Sequence, residues 1–201
     1  MRALLYLLII TFLTFGTSMA GVNIENANQE NTEIINNTIQ ELNKITLQYG
    51  IDVNDFDINF KIKYFDKDKP GLFQAGKYST TTDTVYIIAI ENFRESNIVK
   101  FSKGTQFFKS LIAHETMHSI LWDMGVRDYA MHEYIAAIIE IKMLDQDGQD
   151  NAYYRGQIES MTPYTFTKRE YFEDPIKFQE ISWYDYCRNQ EKFDTFLKTT
   201  S

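Results

Sequence analysis

The sequence contains very little cysteine and histidine. Among its 201 residues there are one cysteine, Cys187, and three histidines. A single thiol excludes an intramolecular disulfide, so the stability of the fold has to come from packing, with a bound metal as a further contribution. All three histidines lie within residues 114–132, so any histidine chemistry is confined to that segment.

Clusters of basic residues and long apolar runs in the body of the chain are also missing. The 20 Lys and Arg residues are outnumbered by 28 Asp and Glu residues, which gives a formal net charge of −8. An acidic chain without a basic cluster argues against nucleic acid or an anionic lipid surface as a partner. No apolar run after residue 20 approaches the roughly 20 residues that span a bilayer, so we expect no stable membrane insertion of the mature chain.

The first 20 residues have the pattern of a signal peptide. Arg2 gives a short positive segment, and residues 4–15 are almost all apolar. Residues 18–20, which end in Ala20, supply the small residues that a signal peptidase recognises. The pattern predicts cleavage near Ala20 and a mature protein that is secreted or periplasmic. A retained signal anchor is the alternative. Residues 21–201 then have a length typical of a single domain.

The spacing of apolar residues predicts an α+β fold. Helical periodicity covers residues 31–49, 101–124 and 129–144. Residues 57–65 alternate as in a half-buried strand, and residues 84–90 are nearly all apolar, as in a strand buried on both faces. The tail from residue 151 is rich in aromatic residues, with helices expected near residues 175–187 and 190–197. We therefore expect a small antiparallel sheet, two central helices and a mostly helical tail.

The central motif is His114-Glu115-Thr116-Met117-His118. Two imidazoles at positions i and i+4 lie on one face of a helix and can bind one zinc ion together. Glu115 is then placed to act as a general base toward water that the metal activates. Both histidines fall on the apolar stripe of the predicted helix, which favours a buried site.

A catalytic zinc ion takes three protein ligands and leaves a fourth position open. The metzincin spacing requires glycine and histidine where this chain has Leu121 and Met124, so the third ligand has to come from farther along the chain. The next predicted helix offers three candidates, namely His132, Glu133 and Glu140.

Helix geometry narrows this choice only in part. The short connection between the two helices predicts a hairpin, with Asp128 as a helix cap. Counting outward from the turn places Glu133 beside His118 and Glu140 beside His114. His132 is rotated by about 100° from Glu133 and points away from the shared face. Spacing alone therefore does not decide whether Glu133 or Glu140 is the third ligand.

These residues resemble the gluzincin family of zinc peptidases. In that arrangement the two histidines of the HExxH motif are joined by a glutamate from a second helix, with a small or acidic residue four positions later. Here Glu133 and Ala137 match that pair. The resemblance implies a zincin-like fold, with His114, His118 and Glu133 as Zn²⁺ ligands, Glu115 as the base and a peptide or protein as substrate. The interval from His118 to Glu133 is 15 residues, shorter than in thermolysin, so the subfamily is a different one.

The resemblance also suggests where a substrate binds. The strand at residues 84–90 precedes the motif helix, as does the zincin edge strand that pairs with extended peptides. An additional donor to the reaction's oxyanion has to be a tyrosine or an arginine, since no histidine remains elsewhere. The tyrosine candidates are Tyr134, Tyr164, Tyr171, Tyr184 and Tyr186.

The sequence therefore predicts an exported zinc-dependent peptidase. The alternative is a secreted binding or inhibitory protein that keeps a structural zinc site on the same scaffold. A structural site is closed by a fourth protein ligand, for which His132, Glu140 and Cys187 are the candidates. A weaker third reading is a zinc hydrolase that acts on another kind of bond.

Overall fold

The computed structural model describes residues 21–64, 75–95, 105–145 and 175–200, which fold as an α+β domain. Two short 3-10 turns, Leu47–Tyr49 and Val53–Asp55, lie between the first helix and the second strand. The helices and strands in chain order are β1 (Val22–Glu25), α1 (Gln29–Thr46), β2 (Ile58–Lys63), β3 (Gly76–Ser79), β4 (Thr84–Ile88), α2 (Ile90–Glu95), α3 (Thr105–Asp123), α4 (Tyr129–Asp145) and α5 (Pro175–Thr200).

The four strands form one mixed sheet in the order β1-β2-β4-β3. β2 is parallel to both β1 and β4, and only β3 and β4 pair in antiparallel fashion. The predicted antiparallel sheet is therefore wrong for two of the three strand pairs. The crossover through α1 returns the chain to the end of the sheet from which β1 started, so that β2 runs in the same direction as β1. β4 is parallel to β2 because β3 runs in the opposite direction and the turn after β3 reverses the chain again.

The edge of the sheet nearest the motif helix is β3, not the strand predicted at residues 84–90. β4 lies between β2 and β3, and Val85 and Ile87 in it are fully buried. The burial agrees with the apolar sequence of β4. However, β4 is buried because it is an interior strand, so it cannot be the edge strand that pairs with a peptide. Ile90 does not extend β4, since it begins α2.

The predicted helices are found with small changes at their ends. α1 starts two residues earlier than predicted, and α4 ends one residue later. The expected break in the tail is also present, because Asn189 interrupts α5 with a non-helical backbone (φ −125°, ψ 30°). Within the described ranges, no helix is both long enough and apolar enough to cross a membrane.

The core lies between the sheet and the helices, with α3 at its centre. α3 contacts the sheet, α1 and α4, and every residue from Glu115 to Leu121 is buried. Ala136 and Ala137 of α4 are almost completely buried as well, which permits the close approach of the two helices. The fully buried large side chains include Ile35, Ile39, Leu42, Ile51, Ile58, Phe60, Ile62, Ile87, Ile90, Phe108, Ile112 and Met117.

One buried amide joins the starts of two helices. The Asn31 side chain is fully buried, and its Oδ1 accepts a hydrogen bond from the backbone N–H of Ile90 at 2.9 Å. Its Nδ2 donates to Asn28 Oδ1 at 2.7 Å and to Glu91 Oε2 at 3.1 Å. This network fastens the start of α1 to the start of α2, directly after β4.

Replacing Asn31 by Ala should destabilise the protein by about 1–3 kcal/mol, because the buried N–H of Ile90 loses its acceptor. Chemical denaturation measures this free energy of unfolding. Asn37→Ala is the matched control, since Asn37 is an exposed residue of the same helix and should change stability by less than about 0.5 kcal/mol. Equal effects of the two substitutions would contradict the assigned role of Asn31.

Candidate metal centre

The helical spacing of α3 brings the two motif histidines together. Nε2 of His114 lies 3.2 Å from Nε2 of His118, and the two rings meet edge to face. Both side chains point toward α4, where they are mostly shielded from solvent, with side-chain exposures of 14% and 11%. Two imidazole nitrogens therefore converge on one point between the helices.

A tight turn after α3 folds α4 back against it. Gly125 adopts a left-handed conformation (φ 83°), and Asp128 Oδ1 accepts a hydrogen bond from the Met131 N–H at 3.0 Å. The turn is closed by His132, whose Nε2 donates to the carbonyl oxygen of Val126 at 2.8 Å. The predicted hairpin and the predicted cap at Asp128 are thus confirmed.

The hairpin places Glu133 against both histidines. Glu133 Oε2 lies 3.5 Å from His114 Nε2, and Oε1 lies 3.6 Å from His118 Nε2. Glu133 is 3% exposed, and its Oε2 is a buried acceptor without a hydrogen-bond partner in the described part of the chain. An unpaired buried carboxylate oxygen is costly, so a cation at this point would stabilise it.

The spacing of these three groups fits a small tetrahedral cation. Ligands about 2.0–2.1 Å from a tetrahedral zinc ion lie roughly 3.3–3.4 Å from one another. The separations of 3.2, 3.5 and 3.6 Å are close to that value. Within the described ranges, His114, His118 and Glu133 are the residues whose donor atoms are grouped closely enough to hold a metal ion.

Glu140 occupies a different position from Glu133. Its Oε2 accepts a hydrogen bond from Nδ1 of His114 at 2.9 Å, on the far side of the ring from the converging donors. The same oxygen accepts from Nε2 of Gln179, on α5, at 2.5 Å. A carboxylate on Nδ1 fixes the ring and leaves the lone pair of Nε2 directed at the site. Helix spacing did not decide between the two glutamates as the third donor. The structure places Glu133 among the clustered donors and Glu140 behind His114, where it orients the ring.

Glu115 faces the edge strand rather than α4. Its Oε2 accepts a hydrogen bond from the backbone N–H of Tyr78 at 2.9 Å. Gly76 lies so close that a Cβ there would be 2.8 Å from Glu115 Cγ. Glu115, the three clustered donors and Tyr78 line one cavity of about 360 Å³, so the candidate base and the candidate ligands share a space large enough for part of a substrate.

The electrostatics of the cluster favour positive charge. Burial acts to lower the pKa of His114, but Glu133 and Glu140 outweigh it and hold that pKa well above its usual value. Burial and the neighbouring His114 lower the pKa of His118 to about 3. Burial raises the pKa of Glu133, but His114 and His118 reverse this and lower it. The Glu133 carboxylate is thus kept ionised and the His118 imidazole neutral, as metal binding requires, whereas His114 would have to give up a proton to a bound metal.

Burial also changes the candidate base. It raises the pKa of Glu115 to about 7, with Glu133 adding to the effect and His114 opposing it. A base with a pKa near neutrality can accept and later release a proton during a reaction at neutral pH. This is a property of the position between α3 and β3, where the carboxylate is removed from water.

The candidates for a fourth protein ligand do not join the cluster. His132 stacks on His118 at 5.7 Å between ring centroids, but its Nε2 is bound to Val126. Cys187 is exposed on α5. Glu140 is engaged by Nδ1 of His114 and by Gln179. In the described part of the chain, the cluster therefore contains three protein donors.

The tyrosines named from the sequence do not line the cavity where the structure describes them. The Tyr134 hydroxyl donates to Asp185 Oδ2 at 2.8 Å, away from the cluster. Tyr186 packs with Trp183 and Phe193, and Tyr184 lies beneath Arg188. Tyr164 and Tyr171 lie outside the described residues.

Two other tyrosines, Tyr78 and Tyr129, line the cavity, although neither is among the candidates that the sequence suggested. Tyr129 also contributes to the lowered pKa of Glu133. The sequence could have indicated Tyr129, because this residue precedes Glu133 by four positions and therefore lies on the same face of the helix. Tyr78 and Gln179 carry no comparable signal, since each reaches the site from an element distant in sequence.

Comparison with known proteins gives a family but no activity. The chain belongs to DUF6639, a family of unknown function whose model matches residues 22–199. No curated protein and no solved structure matches the chain.

Gly76→Ala should displace the Glu115 side chain, because the new Cβ would lie 2.8 Å from Glu115 Cγ and 3.1 Å from Oε1. We expect a loss of stability of about 1–3 kcal/mol and a shift of the Tyr78 amide resonance as its hydrogen bond changes. Denaturation and amide NMR measure the two effects. Most of the stability loss should disappear when Gly76→Ala is made in a Glu115→Ala background. An undiminished loss there would show that the close contact with Glu115 is not its cause.

Proposed function

We propose that this member of the DUF6639 family is an exported zinc-dependent peptidase with a zincin-like fold. The observation that carries the proposal is the convergence of His114, His118 and Glu133 from two helices, with Glu115 in the same cavity. This combination provides a three-donor metal site and an adjacent base, which are the two parts that metal-assisted hydrolysis requires.

The chemistry of the donors favours zinc. Two imidazoles and one carboxylate form the donor set of zinc sites in which a fourth position stays open, whereas Mg²⁺ and Ca²⁺ prefer oxygen donors alone. Fe²⁺ also binds this donor set, but the donor separations of 3.2, 3.5 and 3.6 Å are those of a tetrahedral site, which zinc prefers. The absence of a fourth protein donor in the described cluster supports a catalytic site over a structural one. It therefore counts against the alternative of a non-catalytic binding protein.

In this proposal the residues of the chain share the work of amide hydrolysis. Zinc, when bound, supplies Lewis acidity that makes water more acidic and a substrate carbonyl more electrophilic. Glu115 takes a proton from the attacking water as the new C–O bond forms. It then gives that proton to the amine nitrogen as the C–N bond breaks. Glu140 holds His114 in position throughout, and the Tyr78 N–H holds the Glu115 carboxylate.

The edge strand supports an extended peptide as the substrate. Ala75 accepts a ladder hydrogen bond from Ile88 of β4, so the peptide groups of Gly76 and Tyr78, one and three residues later, face away from β4. The Tyr78 N–H indeed points to Glu115. A chain lying along this edge would pass beside the candidate base and could pair only with the peptide groups of β3 that Glu115 does not occupy. This assigns to β3 the role that was predicted for residues 84–90.

Export is proposed from residues 1–20, which lie outside the described residues. β1 begins at Val22, and the Gly21 carbonyl oxygen accepts a hydrogen bond from the Ile58 N–H. Cleavage after Ala20 would therefore leave the described sheet complete.

The purified protein comprising residues 21–201 should bind about one equivalent of zinc. His118→Ala and Glu133→Ala should each abolish stoichiometric binding, because each removes one of three donors. Glu140→Gln should retain the site with an affinity lower by about 10–100-fold, because only the support of His114 is weakened. Metal analysis and titration against a chelator measure these values.

The matched control for this series is Glu191→Gln, which changes an exposed glutamate of α5 and should leave zinc affinity unaltered. Full zinc affinity in Glu133→Ala would rule out Glu133 as a ligand and with it the proposed site.

Glu115→Gln should keep the metal and lower the rate of peptide hydrolysis by about 10²–10⁴-fold, because the amide cannot accept the proton from water. The assay incubates each zinc-loaded variant with a denatured protein mixture and identifies new termini by mass spectrometry. Glu33→Gln, an exposed substitution on α1, serves as the control and should cleave like the wild type. If Glu115→Gln cleaved at the wild-type rate, the proposed mechanism would be wrong.

A further inference from the structure

A second cavity of about 430 Å³ lies between the start of α4 and the second half of α5. We call it the aromatic pocket, because its walls are formed largely by Tyr129, Tyr134, Phe193 and Phe196, together with Met131 and Ala130. A cavity of this volume falls in the range that holds small organic ligands.

The aromatic pocket adjoins the candidate metal centre. Tyr129 lines both cavities, and Glu133 and Tyr134 are consecutive residues of α4 that face one cavity each. The first turns of α4 are therefore the wall between the two spaces. A peptide held in the cavity of Glu115 and Glu133 would therefore lie against Tyr129, the residue that this cavity shares with the aromatic pocket.

The acidic groups of the aromatic pocket are already engaged in holding its walls. The two carboxylate oxygens of Asp185 accept hydrogen bonds from the Tyr134 hydroxyl at 2.8 Å and from Asn189 Nδ2 at 2.9 Å. Asp128 Oδ1 caps α4 through the Met131 N–H. Because these oxygens are used internally, the surface offered to a ligand is mainly aromatic and aliphatic, with Lys192 as a cation in the same wall.

We propose that the aromatic pocket is a specificity site that binds a large apolar or aromatic side chain of the peptide substrate beside the reacting bond. This inference rests on the proposed peptidase function and adds a substrate class to it. Burying an aromatic side chain from water in such a pocket favours it over alanine by roughly 10- to 100-fold.

The test compares two peptides that differ only by Phe or Ala next to the cleaved bond. The ratio of their kcat/KM values is measured for the wild type, for Ala130→Phe and for Glu191→Phe. Ala130→Phe fills the pocket from its wall, whereas Glu191 is exposed on α5 outside the pocket. We expect a ratio of roughly 10–100 in favour of Phe for the wild type and for Glu191→Phe, falling toward unity in Ala130→Phe.

A wild-type ratio near unity, or an unchanged ratio in folded Ala130→Phe, would overturn the inference. If Ala130→Phe does not fold, as judged by circular dichroism, Phe196→Ala replaces it. This variant enlarges the aromatic pocket and should raise the preference for a Trp peptide over the Phe peptide. An unchanged Trp-to-Phe ratio would then overturn the inference.

Binding separates the failure of this inference from the failure of the peptidase proposal. If no peptide is cleaved, the same Phe and Ala peptides are titrated into each protein by calorimetry. If the Phe peptide binds more tightly and this preference is lost in Ala130→Phe, the aromatic pocket is confirmed as a binding site, whereas the peptidase proposal is contradicted. If both peptides bind equally well, or if neither binds, the proposal of a specificity site is contradicted as well.

Discussion

The short turn between α3 and α4 is the constraint on which the candidate site depends. Gly125 reverses the chain through a left-handed conformation, and Asp128 starts the next helix three residues later. With so few residues between them, the helices have to run side by side, and the turn determines which residues face each other. It sets Glu133 against the two histidines and Glu140 behind one of them. A longer connection would relax this register.

The C-terminal helix contributes to the same arrangement from a distance in sequence. Gln179 on α5 donates to Glu140, which in turn holds His114. α5 also packs along α4 and closes the aromatic pocket with Phe193 and Phe196. Thus a segment whose sequence indicated only an aromatic, mostly helical tail supports a candidate ligand and shapes the space next to it. The hydrogen-bond chain from α5 connects the stability of this helix to the geometry of the proposed centre.

Local sequence signals predicted the helices and the placement of two glutamates opposite the two histidines, because these depend on spacings within one helix or one hairpin. The choice of Glu133 over Glu140 did not follow from spacing but from the resemblance to gluzincins. The sheet was predicted less well. β1 and β3 have four residues each, too few for a periodic pattern, and strand order follows from crossovers that local patterns do not record. The same reason explains why the sequence indicates β4 as the edge strand and carries no signal for the roles of Gly76 and Tyr78. Tyr129, by contrast, could have been found from its position one helical turn before Glu133.

X-ray absorption spectroscopy of the zinc-loaded protein, residues 21–201, tests the central claim most directly. Because the first shell should consist of two imidazoles, a carboxylate oxygen and a solvent oxygen, the spectrum should contain nitrogen and oxygen scatterers at about 2.0–2.1 Å. A sulfur scatterer near 2.3 Å would implicate Cys187, and a third imidazole would implicate His132. Either result would contradict a three-donor centre of His114, His118 and Glu133 with a position open for water.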